Sequence, residues 1–139
     1  MAVITSTIEF LDKGENDMVN ITPEVETQIK DSGFINGICN IFIAGATGGI
    51  IAIEFEPGLK QDFPAMLERI APKNINYAHH MTWRDDNGHS HVRASLIGPS
   101  LTVPFKNGKL IHGTWQQLVF YEFDTQSRER ILYLTIIGE

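Results

Sequence analysis

Three things are missing or scarce in this chain: paired cysteines, a long apolar run, and a surplus of basic residues. Each absence removes a class of protein. The single cysteine, Cys39, cannot form an internal disulfide. It sits in the apolar run Ile38-Cys39-Asn40-Ile41-Phe42-Ile43 with no neighbour that would favour a thiolate, so an inert buried thiol is expected. No apolar stretch approaches the roughly 20 residues of a membrane helix. The N-terminal segment alternates polar and apolar residues, unlike a signal peptide, so a cytoplasmic protein without membrane contact is expected. Eleven Lys and Arg against seventeen Asp and Glu leave a formal charge of −6, which argues against a broad nucleic-acid footprint but not against a local anion site. There is no repeat, linker or low-complexity tract. The 139 residues, 42% of them hydrophobic, suit one domain spanning 1–139 with a core of its own.

Hydrophobic periodicity supplies the elements. Residues 3 to 10 alternate with period 2, as a first strand would. Thr22 before Pro23 reads as an N-cap, opening a short helix that Gly33 ends. Two apolar runs, 37 to 44 and 49 to 55, flank the turn Gly45-Ala46-Thr47-Gly48-Gly49. Asp62 and Pro64 mark a second helix that stops at Pro72. After a polar loop through 73 to 88, short strands are expected at 91–97, 101–105, 109–112, 117–123 and 129–137, with Asn107-Gly108 as a hairpin turn. The fold class that follows is α+β, a large and mostly antiparallel sheet or sandwich with two short helices in the first half.

Chemistry concentrates around His79, His80, His89 and His91, with Asp85, Asp86, Asn87 and Arg93 nearby. Imidazole, carboxylate and guanidinium are poor core fillers and good ligands, proton carriers and anion binders. If 89–97 is a strand, His89, His91, Arg93 and Ser95 form one polar row, and two imidazoles about 6 to 7 Å apart can share a divalent ion. His-rich ligation favours zinc or another first-row metal. A metal-free site with His79 and His91 as acid and base retains most of the same residues. Asp85 or Asp86 would orient an imidazole or complete a coordination shell. The turn at 45–49 could cradle a phosphate with its backbone N–H groups, although it lacks the ending of a P-loop. Glu54 is an acid in an apolar strand for which Arg93 is a conceivable partner. Trp115 reads as packing, Gln116 as a polar ligand contact, and Arg128-Glu129-Arg130 as a solvated turn and strand start.

The runs Ile53-Glu54-Phe55-Glu56-Pro57-Gly58, Asp86-Asn87-Gly88-His89-Ser90-His91-Val92-Arg93-Ala94-Ser95-Leu96-Ile97-Gly98-Pro99-Ser100 and Gly113-Thr114-Trp115-Gln116-Gln117 resemble the YjbQ family, also described as secondary thiamine-phosphate synthase-like proteins. Arg128-Glu129-Arg130 and the terminal Ile137-Gly138-Glu139 continue the resemblance over essentially the full length. It implies an α+β homotrimer with polar clefts near subunit boundaries. It also implies a secondary thiamine-phosphate synthase activity, joining a pyrimidine diphosphate to a thiazole phosphate with release of pyrophosphate. Thr47, Glu54, His79, Asp86, Asn87, His91 and Gln116 match the family's cleft. Many relatives carry His-Thr-Thr or Gly-Ser-Thr where this chain has Gly45-Ala46-Thr47. Relatives usually have one histidine near His79-His80, and His79 is the favoured match. His112 stands where an aliphatic residue is usual and is read as incidental.

The expectation is therefore an enzyme-like protein that accepts a small phosphorylated heteroaromatic compound. The candidate catalytic residues are His79, His91, Arg93, Glu54 and Asp86; substrate contacts are Thr47, Asn87, Ser95 and Gln116; metal ligands are His79, His89 and His91. The alternatives are a metal or small-metabolite binding protein without turnover, and a metal-dependent hydrolase.

Overall fold

The computed structural model describes residues 1–139. In chain order it contains β1 (Ala2–Leu11), β2 (Met18–Asn20), α1 (Thr22–Ser32), β3 (Asn36–Ile43), β4 (Gly48–Glu54), α2 (Pro57–Ile70), α3 (His79–Trp83), α4 (Gly88–Ile97), β5 (Ser100–Lys106), β6 (Lys109–Leu110), β7 (Gln116–Glu122) and β8 (Glu129–Gly138). Five strands form one sheet in the order β1-β8-β3-β5-β6 and three form another in the order β2-β7-β4. All pairings are antiparallel. The α+β class holds, with four helices where two were expected. No helix is long and apolar enough to cross a membrane.

Side-chain alternation divides the core into two layers. Ile50, Leu118 and Phe120 from the three-stranded sheet join Ile41, Leu132, Leu134 and the α1 residues Val25 and Ile29 between the sheets. Their neighbours Ile51, Val119 and Tyr121 face the other way, onto Leu67 of α2 and Ala94 of α4. Burying such side chains contributes about 1.5 to 3 kcal/mol each before chain entropy is counted. Cys39 is fully buried, and burial pushes its thiol up to about 12, as expected of an inert packing group. The outer face of the five-stranded sheet has no helix over it and leaves Ile38, Phe42, Ile131 and Tyr133 exposed.

Local chemistry explains several boundaries. Asn107 and Gly108 both take positive φ, 54° and 70°, and join β5 to β6 as the hairpin reading requires. Helix α2 begins at Pro57, not near Asp62, because the Glu56 carboxylate accepts from the N–H groups of Gly58 and Leu59. Pro64 lies inside that helix. Thr22 is the first residue of α1 and not its cap; its hydroxyl accepts from Leu118 N at 2.8 Å and ties the helix to β7. The turn at 45–47 joins strands of different sheets and so crosses between layers. The main correction is α4: residues 88–97 are helical, so His89, His91, Arg93 and Ser95 do not form one row.

Candidate functional site

Helix α4 is held at its start by a close approach. A Cβ on Gly88 would lie 2.5 Å from Tyr77 Cβ and 2.7 Å from Tyr77 Cγ, so only glycine lets the chain pass there. Gly88 N donates to His80 Nε2 at 3.0 Å, which leaves the His80 proton on Nδ1, 3.6 Å from Asp86 Oδ1. His80 is thus a brace for α4. Asp86 pairs with this brace and is otherwise exposed, so it lies outside the set around His79.

His79, the preceding residue, faces the other way. Its ring centroid is 4.4 Å from that of His91, with the planes inclined by 53°. Its Nε2 is 3.5 Å from Asp85 Oδ1. With its amide turned as the surrounding acceptors require, Asn87 donates to His79 Nε2 at 3.1 Å and to Asp85 Oδ1 at 2.7 Å. Asp85, and not Asp86, is the carboxylate beside this pair.

Residues two apart on a helix point about 200° apart, so the expected polar row splits. His91 faces the cleft, while His89 and Arg93 share the buried side of α4. His89 Nε2 meets Glu15 Oε1 at 2.6 Å, and Lys73 Nζ meets the other Glu15 oxygen at 2.7 Å. Burial acts to raise the Glu15 carboxyl, but hydrogen bonds from Lys73 and His89 outweigh it and hold the group below its ordinary value. Arg93 donates from Nε to the Ala71 carbonyl at 3.0 Å and from Nη2 to Glu68 at 2.7 Å, which ties α4 to the end of α2. Arg93 therefore has no access to the cleft. His89 cannot complete a metal set with His79 and His91, and no three His, Cys, Asp or Glu side chains converge as a metal site. Ser95 is exposed and does not line the cleft.

The cleft itself, about 300 Å³, is lined by Ala46, Thr47, Asn87, His91, Asp124, Arg128 and Arg130. Arg130, buried at the start of β8, donates from Nε to Glu122 Oε2 at 2.7 Å and from Nη2 to Thr47 Oγ1 at 2.9 Å. Thr47 Oγ1 donates in turn to Asp124 Oδ2 at 3.2 Å, and Arg128 Nε donates to the same oxygen at 2.8 Å. Glu122 is pushed up to about 7 by burial, and Asp12 adds to the rise while Arg130 opposes it. Burial would also raise Asp124, but the Thr125 N–H and Arg128 hold it below its ordinary value as a carboxylate. His91 lies below the ordinary imidazole range because burial, and then His79, disfavour its charged form. The cleft thus presents a neutral imidazole beside fixed guanidinium groups and a carboxylate.

Two expected site residues lie elsewhere. Glu54 pairs in register with Gln116, whereas Gly48, next to Thr47, pairs with Glu122. Six residues of strand separate the two ends, about 20 Å. Glu54 and Gln116 therefore do not join the cleft of their own chain. Sequence reasoning missed Glu122 and Asp124, and it read Arg128 and Arg130 as a solvated turn and strand start, whereas Arg130 is buried and both line the cleft. The available signal was the two i, i+2 charged pairs flanking one turn, acidic before it and basic after it.

The family model described as UPF0047 protein YjbQ-like matches residues 6–139. A UPF0047 protein of Methanothermobacter thermautotrophicus is 37% identical over 94% of this chain and 90% of its own. The UPF0047 protein YugU of Bacillus subtilis is 32% identical over 95% of this chain and 98% of its own. Among solved structures, a YbjQ-like protein of unknown function from Sulfolobus solfataricus superposes with a TM-score of 0.91 at 34% identity, covering 99% of each chain.

Proposed function

The chain belongs to the YjbQ-like UPF0047 family, and from that premise we propose that it is a small-molecule enzyme whose cleft accepts a phosphorylated heteroaromatic compound. A thiamine-phosphate synthase reaction is the secondary activity, with His91 and His79 as the proton-handling pair. The observation that carries this reading is the 4.4 Å approach of the two rings at a cleft lined by Thr47, Asp124 and Arg128. A neutral imidazole is available near pH 7 as a base or hydrogen-bond donor. In the reaction a thiazole nitrogen forms a bond to the pyrimidine methylene carbon. The bond from that carbon to the diphosphate oxygen breaks, and its electron pair leaves with pyrophosphate. Hydrogen bonds aimed at the departing oxygens would stabilise their growing charge.

A cleft of about 300 Å³ is at the small end for ligand pockets and cannot enclose two heteroaromatic substrates. That supports a homotrimer whose clefts are completed by a neighbouring copy. The exposed side chains of Ile38, Phe42 and Tyr133 offer an apolar face for such contact, and Trp115, Gln116 and Glu54 lie at an end that a neighbour could present. Activity with both precursors is expected to fall at least about a hundredfold in His91→Ala and His79→Ala, the lower end for loss of acid–base assistance. Rates equal to wild type in folded variants would remove the assignment. Light scattering would give three chain masses, reduced by Tyr133→Glu.

A metal-bound reading has one observation in its favour, the two adjacent imidazoles beside Asp85. The residues do not form a ready site for zinc or another first-row divalent ion, since His89 is committed to Glu15. No step is assigned to a metal. Elemental analysis of the purified protein tests this reading, and a ligand that raises the melting temperature without being converted would instead favour a binding protein without turnover.

A further inference from the structure

We propose that the cleft contains a phosphate seat formed by the open turn at Gly45, Ala46 and Thr47 together with the guanidinium groups of Arg128 and Arg130. The inference rests on the reading of the cleft as a site for phosphorylated compounds and names the residues that grip the phosphate. Arg93, a candidate catalytic residue from the sequence, cannot serve here because it is consumed by Glu68 and the Ala71 carbonyl.

Several hydrogen-bond donors along this wall are unspent. The backbone N–H groups of Gly45, Ala46 and Thr47 have no partner within the chain, while the adjoining Ile43 N bonds Pro99 O and Thr47 O accepts from Phe123 N. The turn is thus anchored at both ends and has unused donors in the middle. Arg128 spends only its Nε, on Asp124, and its side chain is 49% exposed, so both terminal nitrogens remain available. Arg130 spends Nε and Nη2, leaving Nη1 beside the turn, where a Cβ on Gly45 would lie 2.9 Å from it.

Opposing charges define what the seat selects. Arg130 is balanced by Glu122, with Asp12 Oδ2 at 4.0 Å, and Arg128 is balanced by Asp124, so the wall is no general cationic patch. Attraction must come from directed hydrogen bonds, which favour a tetrahedral oxyanion with several acceptor oxygens over a halide. Carboxylates that hold Nε fix the planes of both guanidinium groups and leave their outer nitrogens for the ligand. Phosphate or a diphosphate terminus fits; a neutral ring does not.

Inorganic phosphate and pyrophosphate are the probes, titrated into the intact protein by calorimetry at low salt with chloride as control. Binding is expected in the wild type. Arg128→Gln should weaken it about tenfold or more, the loss of one charged hydrogen bond. Gly45→Ala should weaken it by displacing Arg130 Nη1. Asp124→Asn should retain or strengthen it, because it removes a competing carboxylate; a merely structural role for this cluster would weaken binding in all three. Absence of binding by the wild type, or unchanged affinity in folded Arg128→Gln, overturns the seat. Phosphate binding without turnover of the two precursors upholds the seat and removes the synthase reading, so the two failures are distinguishable.

Discussion

The His79 ring stands 4.4 Å from the His91 ring because Gly88 lets α4 begin against Tyr77 and His80. His91 is held below the ordinary imidazole range first by burial and then by the positive charge His79 can carry. Removing His79 removes the second cause only. In His79→Gln the His91 midpoint should rise, as followed through its ring nitrogen shifts in an NMR titration. An unchanged midpoint would mean that the two rings do not sense each other in solution.

Glu122 makes a second titration informative. Its folded carboxyl is raised from 4.5 to about 7, so the folded state binds more protons than the unfolded state between those values. The stability it contributes is present below 4.5 and is lost as pH rises toward 7. His91, lowered from 6.5, acts in the opposite sense: its contribution is present above 6.5 and is lost as pH falls. These two trends oppose each other just below pH 6.5, where His91 is losing its contribution as pH falls and Glu122 is losing its own as pH rises. Glu122→Gln deletes the first, and urea unfolding midpoints of that variant should then climb with pH across this window more steeply than in wild type.

The strands were legible because their buried faces are apolar with period 2, as Leu132, Leu134 and Ile136 show on β8. Helix α4 was not, because its pattern is inverted. Its buried positions are Gly88, His89, Ser90, Arg93 and Ala94, whereas Val92 and Leu96 are exposed. A search for apolar periodicity reads that segment as a strand with a polar face. Thr47, Asn87 and His91 do line the cleft, and His79 stands against it. Arg128 and Arg130 read as a solvated turn and strand start because their roles depend on acids brought alongside by β-pairing and the turn after β7, which no local pattern encodes.

Gly88→Ala tests how the pair is positioned. The added methyl would have to displace the Tyr77 side chain, whose hydroxyl donates to Pro72 O, or shift the first turn of α4. Overpacking of this kind costs about 1 to 3 kcal/mol. Chemical denaturation should show that loss, and the same variant should weaken the influence of His79 on His91 in the NMR titration. A fully stable variant with an unaltered His91 midpoint would show that the close approach does not set the site.

His89 provides the opposite control. It is fully buried, its Nε2 meets Glu15 at 2.6 Å, and its Nδ1 has no partner. The sequence made it a metal ligand; the helix makes it a tie between α4 and the loop that carries Glu15. Glu15→Gln should cost about 1 to 2 kcal/mol, because it removes the carboxylate facing both His89 and Lys73 while the half-exposed Lys73 stays solvated. Glu15 is held below its ordinary value, so its contribution is present above the unfolded pKa and is lost as pH falls through the lower folded one. Replacing both partners, Glu15→Leu with His89→Leu, should cost less than the sum of the single changes, since neither polar group is left unmatched. Phosphate affinity should stay at the wild-type value in every folded member of this cycle. A drop in affinity that tracks His89 alone would place that imidazole in the cleft chemistry and contradict the helix.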